Sequence, residues 1–293
     1  MKARHLIIPV LMLLASCQRM EQESPVFSSN SSSRTLTLEA FKGNAQTKSL
    51  LLTGGTILDA YWSGSEEVDV FKAGSLMGKL DVTPANGDKP TSAYLSGDIS
   101  VSGLDIDDEL TLLLPREEWS YKGQNGTLTG KGSIEDTFDY ARATVTVTSV
   151  DESSLNTTQA NFENQQSIYR FSFSGEDALS IKGLTISSAS GKIVTSYAYE
   201  AGSWISTYGA LEITPASATS EPLYVALRNE QTEEDTYHFV ITAADDALFL
   251  ASKAVPKDAL ATSGIFISAL EVEATQPDFS PKTSGTLNTS IIF

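Results

Sequence analysis

The chain reads as an all-β protein. Three observations predict this. Apolar and polar residues alternate at period two in many short runs. Those runs are rich in Val, Ile, Thr, Tyr and Phe, the residues that fit a pleated, half-buried surface. Between them the chain is broken by Gly, Pro, Asn, Asp and Ser. No long run carries apolar residues at helical spacing. Many short strands with turns between them point to sandwiches or barrels.

The strands follow in order. Residues 35–40 (TLTLEA) alternate with period two, and residues 68–71 (VDVF) follow Trp62. Residues 110–114 form a strand after the acidic turn at 105–109. Residues 143–148 (ATVTVT) are the cleanest alternation in the chain. Residues 169–173, 181–186, 223–227, 237–241 and 265–272 complete the main set. A polar stretch at 149–162 lacks strong alternation and predicts a domain boundary, which divides the fold into 35–155 and 156–293. No internal repeat is legible.

The first sixteen residues have a different character. Lys2 and Arg4 give a basic start, residues 6–14 form an apolar run interrupted by Pro9, and Ala15-Ser16 leads into Cys17. A charged segment, a short apolar segment and small residues before a cut make a signal peptide. The apolar run is shorter than the roughly 20 residues of a transmembrane helix. The L-A-S-C ending resembles the lipobox of bacterial lipoproteins. That resemblance implies cleavage between Ser16 and Cys17, and lipid on Cys17. Residues 1–16 then leave, 17–34 become a serine-rich flexible tether, and 277 of the 293 residues remain.

Composition narrows function further. The formal charge is −17, and loss of Lys2 and Arg4 takes it to about −19. Such a surface argues against nucleic acid and against adsorption on anionic lipid, both of which need basic patches. Cys17 is the only cysteine, so its lipidation leaves none for disulfides. His238 is the only histidine beyond the signal, and it sits in a strand-like run. Serine–histidine and cysteine–histidine catalysis have almost no material here, and zinc sites of the usual ligand type are excluded. No cofactor or metal is expected.

Several ordered runs resemble the fimbrillin-type lipoproteins of Bacteroidetes. Residues 61–71 (YWSGSEEVDVF) are similar to that family's segment of tryptophan, acidic turn and valine-phenylalanine. Residues 162–173, 179–188, 222–227, 239–250 and 264–272 resemble successive strands of its second domain. The resemblance spans nearly the whole chain after the signal. It implies two tandem transthyretin-like β-sandwiches and a non-enzymatic pilus subunit or surface adhesin. The expected partners are other fimbrillin-type subunits, the outer membrane through the lipid, and a host protein or glycan. The expected location is the outer membrane, facing outward, or a fimbrium after maturation.

In that family a protease removes the tether and the first strand, and a neighbour's strand fills the groove. Here the removable strand would present Leu36, Leu38 and Ala40 inward. The final segment, 286–293, places Leu287, Thr289, Ile291 and Phe293 on one face. It reads equally as a donor strand or as an ordinary last strand. The family's cut follows an arginine after the first strand. This chain has Lys42 and Lys48 there, and Arg34 lies before the strand. A lysine-accepting protease, an uncut anchor or stalk component, and a tip position all remain open.

Other candidates are weaker. Residues 105–109 (DIDDE) read as a solvated turn rather than a calcium loop, since the glycine and closing glutamate of an EF-hand are missing. Trp119, Tyr121, Trp204 and Tyr208 lie in loop-like contexts. Aromatics on loops can bind sugars or proteins, which offers an alternative: a monomeric surface lipoprotein that captures a glycan or host protein. Core packing is the competing reading of the same four residues.

Overall fold

The computed structural model describes residues 33–42, 50–53, 57–88, 90–115, 118–174, 179–200, 203–260 and 267–273. The protein is all-β. Its strands are β1 (Ser33–Lys42), β2 (Leu50–Thr53), β3 (Ile57–Ala60), β4 (Glu67–Lys72), β5 (Ser75–Pro84), β6 (Ser92–Ser100) and β7 (Glu109–Leu114). Next come β8 (Glu118–Ser120), β9 (Ala141–Val150), β10 (Ser154–Thr157), β11 (Ala160–Asn164), β12 (Ser167–Ser174) and β13 (Ile181–Ser188). The remainder are β14 (Val194–Glu200), β15 (Ser203–Tyr208), β16 (Leu211–Ile213), β17 (Leu223–Leu227), β18 (Asp235–Ala243), β19 (Leu248–Val255) and β20 (Ile267–Glu273). Among the described residues the helical content is a π-helical turn at Ile134–Phe138 and a 3₁₀ turn at Lys257–Leu260.

The first sheet closes on itself. Its order is β10-β1-β11-β9-β7-β4-β5-β6, and β1 pairs with β6 to complete the ring. The short strands β10 and β11 share one position, each lying between β1 and β9. Closure removes the exposed edges that invite unwanted pairing. The ring needs a close approach where β5 meets β6. A Cβ on Gly97 would lie 2.1 Å from the Lys79 carbonyl oxygen, so only glycine fits there.

Residues 149–162, read from sequence as a polar seam, carry β10 and β11. The expected division at 155 therefore falls within the first sheet. Neither strand has a strong pattern of its own. Each is held by a ladder on both sides, and that tertiary pairing overrides weak local preference.

Two apolar cores result. The first contains Leu36, Leu38, Trp62, Val70, Leu112, Val145, Leu155 and Phe162. The second contains Trp119, Tyr121, Tyr140, Tyr169, Phe171, Ile186, Val225, Tyr237 and Phe239. Strands β4 and β7 serve both, because successive residues on a strand face opposite sides. Val70 and Leu112 point into the ring, while Phe71 and Leu113 join the second core. The run 118–140 lies between two strands of the first sheet in sequence, yet Trp119, Tyr121, Ile134, Phe138 and Tyr140 pack in the second core.

The second core is built from β17-β12-β20, β16-β13-β18-β19 and β15-β14-β8. Strand β12 lies antiparallel to β17 and parallel to the late strand β20. Strand β1 has the same setting, antiparallel to β6 and parallel to β10 and β11. Strands β1 and β12 thus share one setting, with an antiparallel neighbour on one side and a parallel one on the other.

Candidate functional site

Strand β1 is an interior member of its sheet. It forms nine residue pairs with β6, from Ser33 opposite Ser100 to Phe41 opposite Ser92. On its other side Thr35 and Leu36 pair with Ser154 and Leu155, and residues 40–42 pair with 160–162. Leu36, Leu38 and Ala40 are buried, as the alternation predicts. The outward residues make polar cross-strand contacts. Thr35 Oγ1 donates to Asp98 at 2.7 Å, and the Thr37 and Ser96 hydroxyls lie 3.0 Å apart. Loss of this strand would leave two rows of backbone groups and an apolar slot unpartnered.

The same phase that buries residues 36, 38 and 40 continues to Lys42. Its Nζ donates to the Tyr61 carbonyl at 2.8 Å and lies 3.7 Å from Glu66 Oε1. Both side chains have 0% exposure. The ammonium sits 4.0 Å from the centre of the Trp62 ring, a cation–π geometry. Glu66 Oε1 also accepts the Ser63 backbone N–H at 2.8 Å. Trp62 meets Phe162 of β11 edge-on at 5.6 Å. Glu66 Oε2 and Trp62 Nε1 are buried with no hydrogen-bond partner.

Lys42 is therefore a core residue in the folded chain. The turn at 61–66 folds over the end of β1 and supplies the partners that let a cation stay inside. Arg34, at the other end of β1, donates from Nε to the Asp151 carbonyl at 2.7 Å and from Nη1 to the Ser33 carbonyl at 2.9 Å. Ser16, Cys17, Lys48, Leu287, Thr289, Ile291 and Phe293 lie outside the described residues.

The four aromatics separate. Trp119, on β8, and Tyr121, just after it, are core residues, 1% and 0% exposed, in line with the packing reading of the pair. The reason is β8, which pairs with β14 and sets Trp119 opposite Tyr197. Glu118 and Ser120 face out and Trp119 faces in. Its ring stacks on Tyr140 at 5.2 Å and on Trp204 at 4.6 Å, and Trp204 stacks on Tyr197 at 4.4 Å. The Arg228 guanidinium covers the Tyr197 ring at 4.4 Å. Burial pushes the Tyr121 hydroxyl well above its ordinary value, and that hydroxyl donates to the Gln165 carbonyl at 3.2 Å. Tyr208 remains 42% exposed, with its hydroxyl 2.5 Å from Glu230 Oε2 and Lys192 over its ring at 4.7 Å.

The acidic turn behaves as a turn. Asp108 accepts the Asp105 backbone N–H at 2.6 Å and pairs with Lys72. The hydrogen bond from Lys72 is the main cause that holds its carboxyl below the ordinary value. Asp107 adopts a left-handed backbone with φ 71°, which Asp tolerates in turns. Among the described residues no group of three or more His, Cys, Asp or Glu is placed to hold a metal ion. His238 shares a 2.8 Å contact with the Ser252 hydroxyl on the exposed face of β18. No described helix is long and apolar enough to cross a membrane.

No protein-family model and no curated protein matches the chain. Solved structures do. A candidate cell adhesion protein from Bacteroides uniformis is 12% identical, with a TM-score of 0.40, over 84% of this chain and 98% of that one. The tip fimbrial protein Mfa3 from Porphyromonas gingivalis is 10% identical, with a TM-score of 0.37, over 84% and 96%. A fimbrial assembly protein from Parabacteroides distasonis is 9% identical, with a TM-score of 0.35, over 82% and 90%. The structural neighbours of this chain are thus fimbrial proteins and candidate cell adhesion proteins of Bacteroidetes.

Proposed function

We propose that the chain is a non-enzymatic fimbrial subunit or fimbrillin-like surface adhesin. In this reading two tandem transthyretin-like sandwiches follow a tether anchored in the outer membrane by lipid on Cys17, and the protein faces outward. It assembles with related subunits by exchange of β-strands, and it joins a fimbrium if matured. The observation that carries the reading is the seating of β1. One strand with ladders on both flanks supplies Leu36, Leu38 and Ala40 to the first core. A slot of that kind accepts another chain's strand by main-chain pairing, with alternate side chains entering pockets. The final segment, with Leu287, Thr289, Ile291 and Phe293 on one face, is the proposed donor. A monomeric glycan-binding role has less to stand on, because Trp119 and Tyr121 are committed to the core.

The test is strand complementation. A chain that starts at residue 43 is mixed with a synthetic peptide of residues 33–42 or of residues 286–293, and binding is read by native gel and fluorescence. Capture of both peptides at one slot is the expected result. A chain that captures neither overturns the proposal.

A further inference from the structure

We infer that Lys42, Glu66 and Trp62 form a lock that holds the end of β1 in the closed sheet and keeps the peptide bond after Lys42 from a lysine-directed protease. The lock bears on assembly only through the proposed strand exchange, but its existence does not depend on that exchange.

Three features carry the inference. First, the residue is held on every side. The Lys42 backbone N–H donates to the Thr91 carbonyl at 3.1 Å, and Lys42 is in register with Phe162 of β11. Its side chain reaches the Tyr61 carbonyl, Glu66 and the face of Trp62. A protease must draw an extended, unpaired segment into its cleft, and no part of this residue is free to enter one.

Second, the charges hold each other inside. A buried ammonium without its carboxylate is strongly unfavourable, and so is the reverse. Opening the end of β1 separates the pair and also removes the ring beneath the cation. Third, the lock spans three separate segments. Lys42 is on β1, Trp62 and Glu66 are on the segment that joins β3 to β4, and Phe162 of β11 braces Trp62. Release of β1 therefore requires the turn at 61–66 to move.

The consequence concerns where processing stops. A cut that falls before residue 33 leaves β1 joined to the chain and the first slot filled. Such a subunit gives a strand but receives none at that slot, until something opens the lock.

The test uses the full-length chain in detergent. Trypsin digestion is followed by mass mapping across a urea series, and amide exchange is read along β1 and β12. In the wild type, cutting after Lys42 is expected only in step with global unfolding. Glu66→Gln is expected to raise both that cutting and exchange in the second half of β1 on the order of a hundredfold, with β12 unchanged. The double variant Lys42→Met with Glu66→Leu is expected to restore slow exchange, since an apolar pair replaces the ionic one. Native-rate cutting after Lys42 in the wild type, or unchanged exchange in Glu66→Gln, overturns the inference. Should Glu66→Gln fail to fold, exchange in the wild type decides: opening of the second half of β1 only with global unfolding supports the lock, and local opening well below it overturns the lock. These readouts come from single molecules, so a failure of strand exchange leaves them untouched.

Discussion

The side-chain amide of Gln124 pairs with the backbone of Ala226 as a neighbouring strand would. Nε2 donates to the Ala226 carbonyl at 2.7 Å, and Oε1 accepts the Ala226 N–H at 2.7 Å. The same Nε2 also donates to the Tyr121 carbonyl at 2.9 Å. A residue in the run 118–140 thereby completes the backbone pairing of β17, a strand of the second core. The join continues two residues on, since the Tyr224 N–H donates to the Gly126 carbonyl at 2.8 Å.

Gln124→Ala should therefore be costly although it removes little apolar surface. It leaves the buried Ala226 N–H and carbonyl without partners. Each orphaned group costs about 1–3 kcal/mol, so the variant should lose about 2–6 kcal/mol. Urea unfolding measures this as a lower midpoint. An unchanged midpoint would mean that water replaces the amide.

Gly97 and Gly183 should respond differently to alanine. At Gly97 the new methyl would lie 2.1 Å from the Lys79 carbonyl oxygen and 3.1 Å from the Leu80 Cα, both backbone atoms. One of two neighbouring strands must shift, at a cost of about 1–3 kcal/mol. Gly97 is also in register with Leu36, so the shift should loosen β1. At Gly183 the methyl meets only the Thr242 side chain at 3.7 Å, an ordinary contact. Gly183→Ala should stay within about 0.5 kcal/mol of the wild type or gain slightly by stiffening the unfolded chain. Thermal melts of the two variants give the comparison.

Acid should weaken the second lobe through Asp235. Burial by itself raises its carboxyl value. Hydrogen bonds from the Ser190 hydroxyl, the Asn229 amide and the Thr236 and Ser190 backbone N–H groups outweigh that and leave it lowered. The Ser190 hydroxyl lies 2.6 Å and the Asn229 amide 2.8 Å from Asp235 Oδ2. A carboxyl lowered in the folded state adds stability above its unfolded value of about 3.9. That stability is lost as pH falls from there through the lowered folded value. Melting temperatures between neutral pH and about pH 2 should therefore fall more steeply for the wild type than for Asp235→Asn. Parallel curves would remove Asp235 from the acid response.

The all-β class, the inward face of β1 and the main strand positions were legible in the sequence. The period-two pattern that places Leu36, Leu38 and Ala40 inside also places Lys42 inside, so its burial was readable from phase alone. The residues that make that burial tolerable were not. Nothing local joins Lys42 to Glu66 and Trp62, or Trp119 to Tyr140 and Trp204.

Period two tells which face of a strand a residue occupies, because alternation is a local property of extended backbone. It does not tell which strand lies beside it or what covers that face. Strands β10 and β11 show this, since their sequences are weakly patterned and their existence rests on β1 and β9. Trp119 shows it again, since a three-residue strand is defined by its pairing with β14. Alternation and turn chemistry determined the class and the buried faces of this protein. Pairing across long stretches of chain decided the closed first sheet, the placement of the run 118–140 in the second core and the burial of Lys42 with its carboxylate. Those outcomes depend on contacts between distant segments, which form only once both surfaces have left water together.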